Sequence, residues 1–182
     1  MTEQDINDKS MELMSTLQKY EEKAIKDPLT GVLNHGEIET QLNNALARRQ
    51  SSEDPISIMM LDLDKFKEVN DNYGHAVGDT TLKHFAKILM DISVEEKALV
   101  GRWGGEEFVI VCRDKNGDAA FELAERLREK VAAYQFPDIY HITCSIGVTE
   151  LAAGDDFKGA FDRLDKAMYA SKHNGRNKVT KL

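Results

Sequence analysis

The pattern of hydrophobic and polar positions predicts strands that alternate with amphipathic helices. Residues 56–63 are apolar on both faces until Asp62, as expected of a strand covered by helices on either side. Further strands are predicted over residues 98–102, 108–113 and 141–151, and Val179 begins a last short one.

Helices are predicted where apolar residues recur three and four positions apart, over residues 35–50, 65–72, 78–91, 117–134 and 157–174. Their inward faces are expected to contain Ile38, Leu42, Ala45 and Leu46; Leu82, Phe85, Ala86 and Leu89; Ala120, Leu123, Ala124, Leu127 and Val131; and Phe161, Leu164, Ala167, Met168 and Ser171. The order of elements predicts an α/β fold of the α+β sandwich type. A mixed, mainly antiparallel five-stranded sheet is expected at its centre, with helices on both faces.

Residues 2–26 are polar, with a heptad-like apolar stripe that is interrupted at Ser10. The stripe consists of Ile6, Leu13, Leu17, Tyr20 and Ala24. Either this helix pairs with a second copy or joins an upstream module, or it is a solvated helix that packs on its own domain. Because Pro28 cannot continue a helix, we divide the chain into an N-terminal segment, residues 1–26, and a domain, residues 27–182.

Composition narrows the class of protein. The 182 residues are 41% hydrophobic and 31% charged, which fits one domain with a sizeable core. The net charge of -8 disfavours nonspecific binding to nucleic acid or to an anionic membrane, whereas a nucleotide with bound Mg²⁺ stays compatible. No stretch is apolar enough to span a bilayer and no signal peptide is recognisable, so we expect a cytoplasmic location without membrane contact. Cys112 and Cys144 are expected to be reduced core residues.

The candidate chemistry lies at two turns. Residues 104–107 read GGEE before a strand, which describes either an ordinary hairpin with solvated acids or a turn that presents carboxylates to a metal. Asp62 ends the first strand and is the stronger ligand candidate, because Asp64 is expected to cap the next helix. If these strands are neighbours, the carboxylates meet at one end of the sheet, as two-metal phosphoryl transfer requires.

A helix break supplies a second group of polar residues. Asn70, His75 and Asp79 offer donors and acceptors for a heterocyclic base, although Asn70 and Asp79 could equally be helix caps. Lys172 and Arg176 follow four residues apart near the C-terminus, where they either contact phosphate or complement a helix dipole.

Five segments together resemble the GGDEF family of diguanylate cyclases. Residues 104–108 read GGEEF, a common variant of its signature, and residues 27–34 read DPLTGVLN, with Val32 where the family usually has Leu. The resemblance continues through residues 62–67, residues 70–79 and the C-terminal segments 165–169 and 172–177. It covers residues 27–182.

The resemblance implies a polymerase-palm-like nucleotidyl cyclase that condenses two GTP into cyclic di-GMP across a homodimer and releases two pyrophosphates. The implied ligands of two Mg²⁺ ions, or of Mn²⁺, are Asp62, the carbonyl of Leu63, Glu106 and Glu107. Glu106 would also assist deprotonation of the attacking hydroxyl, and Lys67 would stabilise the transition state. Substrate contacts would come from Asn70, His75, Asp79, Lys172 and Arg176, and from the amides of Lys65 and Phe66.

Two positions depart from the family. His35 replaces a common arginine, which we expect to be tolerated. Glu95 and Ala98 occupy the positions of the R-x-x-D motif that binds inhibitory product, so we expect that site to be absent. Arg102 and Arg126 are nearby arginines that could form a partial substitute. The alternative function is a non-catalytic GGDEF module that senses GTP or docks a partner, but none of the signature acids is missing.

Overall fold

Eight consecutive buried residues, Ile56–Leu63, form β1, the central strand of a five-stranded sheet. The structure is a computed structural model that describes residues 3–182, except for the side chains of residues 3–6, 17–19 and 21. The other strands are β2 (Leu99–Gly104), β3 (Glu107–Arg113), β4 (Cys144–Glu150) and β5 (Val179–Lys181).

The sheet has the order β2-β3-β1-β4-β5, and only the pair β4–β5 is parallel within the described chain. This confirms the predicted mixed, mainly antiparallel sheet. β4 begins three residues later than predicted because its pairing with β1 starts where β1 ends, at Leu63 opposite Cys144.

Helices cover both faces of the sheet, as predicted. They are α1 (Glu3–Ile25), α2 (His35–Ser51), α3 (Phe66–Tyr73), α4 (His75–Glu96), α5 (Gly117–Ala133) and α6 (Phe157–His173). The expected core residues of α2 and α6 pack on one face of the sheet, and those of α4 and α5 pack on the other. Phe161 is only partly buried.

The prediction for α4 was wrong at both ends. The helix begins at His75 instead of residue 78, because Gly74 alone, with a φ of 85°, separates it from α3. It continues to Glu96 and ends at Lys97 in a left-handed conformation. The consequence is a tight helix-helix corner that brings α3 against α4.

The N-terminal helix α1 leads into the turn that precedes α2. Asn34 donates a side-chain hydrogen bond to the carbonyl of Ala24 (2.7 Å) and a backbone hydrogen bond to Ile25 (2.9 Å). Leu13 and Tyr20 of the apolar stripe are 62% and 69% exposed, whereas the side chains of Ile6 and Leu17 lie outside the described residues. None of the described helices is long and apolar enough to cross a membrane.

Candidate functional site

A cavity of about 430 Å³ opens between the α3–α4 corner and the β2–β3 hairpin. It brings together Lys67, the three candidate base contacts and Glu106, which come from separate parts of the sequence. Its lining residues are Phe66, Lys67, Asn70, His75, Asp79, Leu82, Arg102, Gly105 and Glu106. Sequence reasoning missed the apolar lining by Phe66 and Leu82, since both residues also fit an ordinary helix core.

The α3–α4 corner determines how the polar residues face the cavity. Gly78 lies buried under α3, and a Cβ atom on it would overlap the side-chain amide of Asn70. Neither Asn70 nor Asp79 caps a helix, because the residue before α4 is Gly74 and no side chain caps that helix. The capping interpretation of both residues was therefore wrong, and both side chains line the cavity.

The hairpin presents its acids at the end of β1. Asp62 lies directly opposite Glu107 in the β1–β3 pairing, and Glu106 occupies the turn that precedes Glu107. Gly105 takes a φ of 48°, and the pairing register shifts between Arg102 and Gly104. Asp62 and Glu107 thus meet at one end of the sheet, as the sequence predicted.

Arg102 fixes this turn by hydrogen bonds. Its guanidinium donates to the carbonyl of Gly105 from Nε (2.9 Å) and Nη2 (2.7 Å), and its Nη1 lies 3.3 Å from Oδ1 of Asp27. Asp27 also accepts hydrogen bonds from the amide (2.9 Å) and hydroxyl (2.5 Å) of Thr30. The guanidinium therefore connects the turn after α1 to the Gly-Gly hairpin.

Asp62 is a buried carboxylate whose charge is balanced by a lysine. It is 4% exposed, and Nζ of Lys172 lies 2.6 Å from its Oδ2. Burial raises the pKa of Asp62 to about 6; Lys172 opposes this shift, while Glu106 and Glu107 add to it. Burial also raises the pKa of Glu107, again opposed by Lys172 and reinforced by Glu106. A second cation close to these acids would lower their mutual repulsion.

The carboxylates of Asp62, Glu106 and Glu107 have the ligand chemistry and the negative charge that a hard divalent cation requires. Carboxylate oxygens are the ligands that Mg²⁺ prefers, and Asp62 already attracts an ammonium group. Across the described residues, however, no three acidic, histidine or cysteine side chains converge as a formed metal site.

Asp64 does not cap α3, so that prediction was wrong. The residue before α3 is Lys65, which adopts a left-handed φ of 59° and makes no side-chain cap. The Asp64 carboxylate instead accepts hydrogen bonds from Thr143 Oγ1 (2.7 Å), Ser145 Oγ (2.7 Å) and the Asn177 amide (2.9 Å). These partners come from the start of β4 and from the loop after α6.

The candidate phosphate contacts surround the end of β1. Lys65 lies just before α3 and Phe66 begins it, so their amides lie at the N-terminus of α3, where backbone donors lack an intrahelical acceptor. Lys67 is exposed, with Nζ 3.4 Å from Asp71. Lys172 lies in the last turn of α6, and the exposed Arg176 follows in the loop.

The positions of the inhibitory motif carry no phosphate-binding pair. Glu95 is an exposed residue of the last turn of α4, and Ala98 is half-buried before β2. Arg126 forms an ion pair with Glu96, which also lies 2.7 Å from Lys115. His35, the other departure, packs against Trp103 with ring centroids 4.2 Å apart and ring planes tilted by 41°, and its Nδ1 lies 2.6 Å from the Trp103 carbonyl.

Comparison with known proteins gives consistent matches. A family model described as diguanylate cyclase, GGDEF domain, matches residues 24–178. The diguanylate cyclase DgcP of Pseudomonas aeruginosa is 35% identical over 168 residues, which are 91% of this chain and 25% of that protein. The chain therefore spans about a quarter of the length of this curated relative.

Two of the similar solved structures match 98% of the chain. The coiled coil and GGDEF domain of DgcB from Caulobacter crescentus, in complex with c-di-GMP, is 27% identical with a TM-score of 0.89 and coverages of 98% and 96%. The diguanylate cyclase SiaD of Pseudomonas aeruginosa, in complex with its activator SiaC, is 33% identical with a TM-score of 0.83. That match covers 98% of this chain and 70% of SiaD.

Proposed function

The chain belongs to the GGDEF domain family, and from this premise we propose that it is a diguanylate cyclase. Two GTP molecules would be joined into cyclic di-GMP. The 3′-hydroxyl of each attacks the α-phosphate of the other, and two pyrophosphates leave. The observation that carries the proposal is the shared cavity, in which Asn70 and Asp79 lie with Lys67 and Glu106.

The cavity favours guanine for a chemical reason. A carboxylate such as Asp79 accepts hydrogen bonds from the N1 and N2 donors of guanine, and adenine presents no such pair. Asn70 would complete the recognition of the base edge, and His75 would make a further contact. The apolar side chains of Phe66 and Leu82 line the same cavity, which suits the faces of a purine.

The acids would hold two Mg²⁺ ions at the end of β1. Asp62, the carbonyl of Leu63, Glu106 and Glu107 are the proposed ligands, with the Lys172 ammonium withdrawing from Asp62 toward the phosphates. Bound Mg²⁺ supplies charge neutralisation at the phosphates and eases loss of the proton from the attacking hydroxyl. Glu106 would accept that proton, and Lys67 would balance charge that develops on the reacting phosphate.

The remaining phosphates would be held by two groups of donors. Lys172 and Arg176 would bind the outer phosphates by charge-assisted hydrogen bonds. The amides of Lys65 and Phe66 would add donors at the N-terminus of α3. Together these groups orient the α-phosphate toward the opposing 3′-hydroxyl, and such orientation accounts for a large part of the rate in reactions of this type.

Catalysis would require a homodimer, since one cavity holds one GTP and the symmetric reaction needs two. Residues 1–26 would act as a separate linker segment that pairs two copies of the domain, residues 27–182. The similarity to the coiled coil of DgcB supports this role. An upstream module or an activating partner, as in the SiaD complex, would act through the same segment.

Feedback by product through an R-x-x-D site would be absent. Glu95 places a negative charge where that motif has an arginine, and Ala98 supplies no carboxylate. The nearby arginines are already engaged: Arg126 pairs with Glu96, and Arg102 with Asp27 and Gly105.

The alternative function is a non-catalytic GTP sensor. Such a protein would keep the Lys172–Asp62 ion pair when nucleotide is bound, and would bind GTP without reacting it. Product analysis after incubation with GTP and Mg²⁺ distinguishes the two functions.

Base selectivity tests the cavity directly. Asp79→Ala should weaken binding of 3′-deoxy-GTP, which lacks the attacking hydroxyl, roughly 10- to 100-fold, because one charge-assisted contact is lost. Binding of 3′-deoxy-ATP should change little, so the ratio of the two affinities falls. Calorimetry with both nucleotides measures this ratio, and an unchanged ratio would show that Asp79 does not read the base.

A further inference from the structure

The loop after α6 has three residues in succession with positive φ. Gly175, Arg176 and Asn177 have φ values of 109°, 62° and 46°. Glycine and asparagine are tolerated in this region, whereas for Arg176 it costs on the order of 1–2 kcal/mol, which contacts elsewhere in the fold offset.

Asp64 supplies one of these contacts. It is 6% exposed, one residue beyond the end of β1, and its Oδ2 accepts the hydrogen bond of the Asn177 amide at 2.9 Å. Its own amide donates to the Thr143 carbonyl (2.8 Å), and Ser145 donates to its Oδ1 (2.7 Å). The carboxylate is therefore fixed to β4 and holds the loop in turn.

Two further hydrogen bonds hold the loop. The Arg176 amide donates to the carbonyl of Ser171 (3.1 Å), and Nη1 of Arg128 donates to Oδ1 of Asn177 (3.1 Å). These bonds fix the backbone and leave the Arg176 side chain exposed. Lys172, one turn earlier, reaches Asp62 on the same strand end.

We propose that Asp64 is a positioning residue for phosphate recognition: it holds the 174–178 loop so that Arg176 and Lys172 face the outer phosphates of the nucleotide. The inference rests on the proposed function, because it assumes a nucleoside triphosphate in the neighbouring cavity. Asp64 itself touches no substrate. Its effect should appear in recognition of the phosphates and not in recognition of the base.

The test compares binding of 3′-deoxy-GTP with binding of guanosine by calorimetry. Asp64→Ala leaves the Asn177 amide without its acceptor, so affinity for 3′-deoxy-GTP should fall at least about tenfold. Affinity for guanosine, which has no phosphates, should stay within about twofold. Asp64→Asn should restore most of the affinity, because an amide oxygen can accept from Asn177 while its NH₂ donates to the Ser145 hydroxyl.

Thr143→Val is the matched control. It removes a hydrogen bond to the same carboxylate oxygen but does not touch the loop, so both affinities should stay within about twofold of those of the unmodified protein. If Asp64→Ala does not fold, Asp64→Ser replaces it, because its smaller side chain admits water to Thr143 and Ser145 without reaching Asn177.

A double-mutant cycle tests whether Asp64 affects nucleotide affinity through Arg176. Arg176→Ala alone should lower the affinity for 3′-deoxy-GTP about tenfold. When it is added to Asp64→Ala, it should lower this affinity by less than a further twofold. Full additivity, or equal loss of guanosine and 3′-deoxy-GTP affinity, would overturn the positioning role. If the unmodified protein binds 3′-deoxy-GTP no better than guanosine, the proposed function fails and this inference with it.

Discussion

At the scale of single residues, the candidate site depends on the close approach of α3 and α4. The meeting of the three candidate base contacts in one cavity was predictable because Asn70, His75 and Asp79 lie within ten positions. The role of Asp64 was not predictable, since an aspartate just before a helix usually indicates an N-cap. Its actual donors, Thr143, Ser145 and Asn177, are about 80 or more positions away in the sequence and come close only when β1 pairs with β4.

Gly78 provides a prediction at this scale. Gly78→Ala should displace the Asn70 side chain, because the new Cβ would overlap its amide, and should weaken binding of 3′-deoxy-GTP roughly 5- to 30-fold. Gly36→Ala is the matched control, since a Cβ there meets only Asn34, at 3.7 Å. Calorimetry and thermal unfolding should show lost affinity for the first variant alone. Equal affinity in both variants would contradict the assigned position of Asn70.

At the scale of elements, the end of α1 is joined to the hairpin by one ion pair. Arg102 contacts both Asp27 and the Gly105 carbonyl, so its guanidinium connects the turn after α1 to the turn that carries Glu106. The sequence predicted the helices and strands that meet here, because their apolar periodicity is regular. It did not predict the pair itself, because Asp27 and Arg102 are 75 positions apart.

This ion pair should make stability depend on acid pH. Burial alone would raise the pKa of Asp27, but hydrogen bonds from Thr30 and the Arg102 guanidinium lower it below its ordinary value. A lowered folded-state pKa contributes stability above the unfolded value of about 3.9, and this contribution is lost as pH falls through the folded-state pKa. Asp27→Asn should therefore lower Tm at pH 7, with the difference from the unmodified protein shrinking toward pH 3.

Asp54→Asn is the control for this titration. Asp54 also pairs with an arginine, at 3.1 Å from Arg48, and hydrogen bonds from Ser52 and Arg48 lower its pKa as well. Its side chain is 54% exposed, however, and solvent screening leaves such exposed pairs little effect on stability. Thermal unfolding from pH 7 to pH 3 should show a clear pH-dependent difference for Asp27→Asn and almost none for Asp54→Asn. Parallel curves for Asp27→Asn and the unmodified protein would contradict the argument.

At the scale of the whole molecule, the mixed, mainly antiparallel five-stranded sheet and the two helix layers followed from the apolar pattern, and these predictions were confirmed. The meeting of Asp62 with Glu107 also followed, because neighbouring antiparallel strands place their ends together. The α3–α4 corner was misjudged, since Gly74 alone makes the turn. The assembly of two copies lies beyond a single chain and stays a proposal.

The proposed homodimer predicts that specific activity depends on protein concentration. Specific activity should rise with protein concentration, and a leucine zipper fused before Thr2 in register with the apolar stripe should raise it at low concentration. A zipper fused with two extra residues is the control, because it rotates the helix by about 200°. Activity that is independent of concentration and of the zipper would contradict a catalytic homodimer.

The proposed cyclase activity is tested most directly by mass spectrometry of the products after incubation with GTP and Mg²⁺. The unmodified protein should form cyclic di-GMP and pyrophosphate, and Glu106→Gln should form at least about 100-fold less, because it removes the proposed proton acceptor and metal ligand. Thermal unfolding should show that the variant stays folded, since Glu106 is only half-buried in a turn. Binding of GTP without cyclic di-GMP by the unmodified protein, or equal product from Glu106→Gln, would contradict the account.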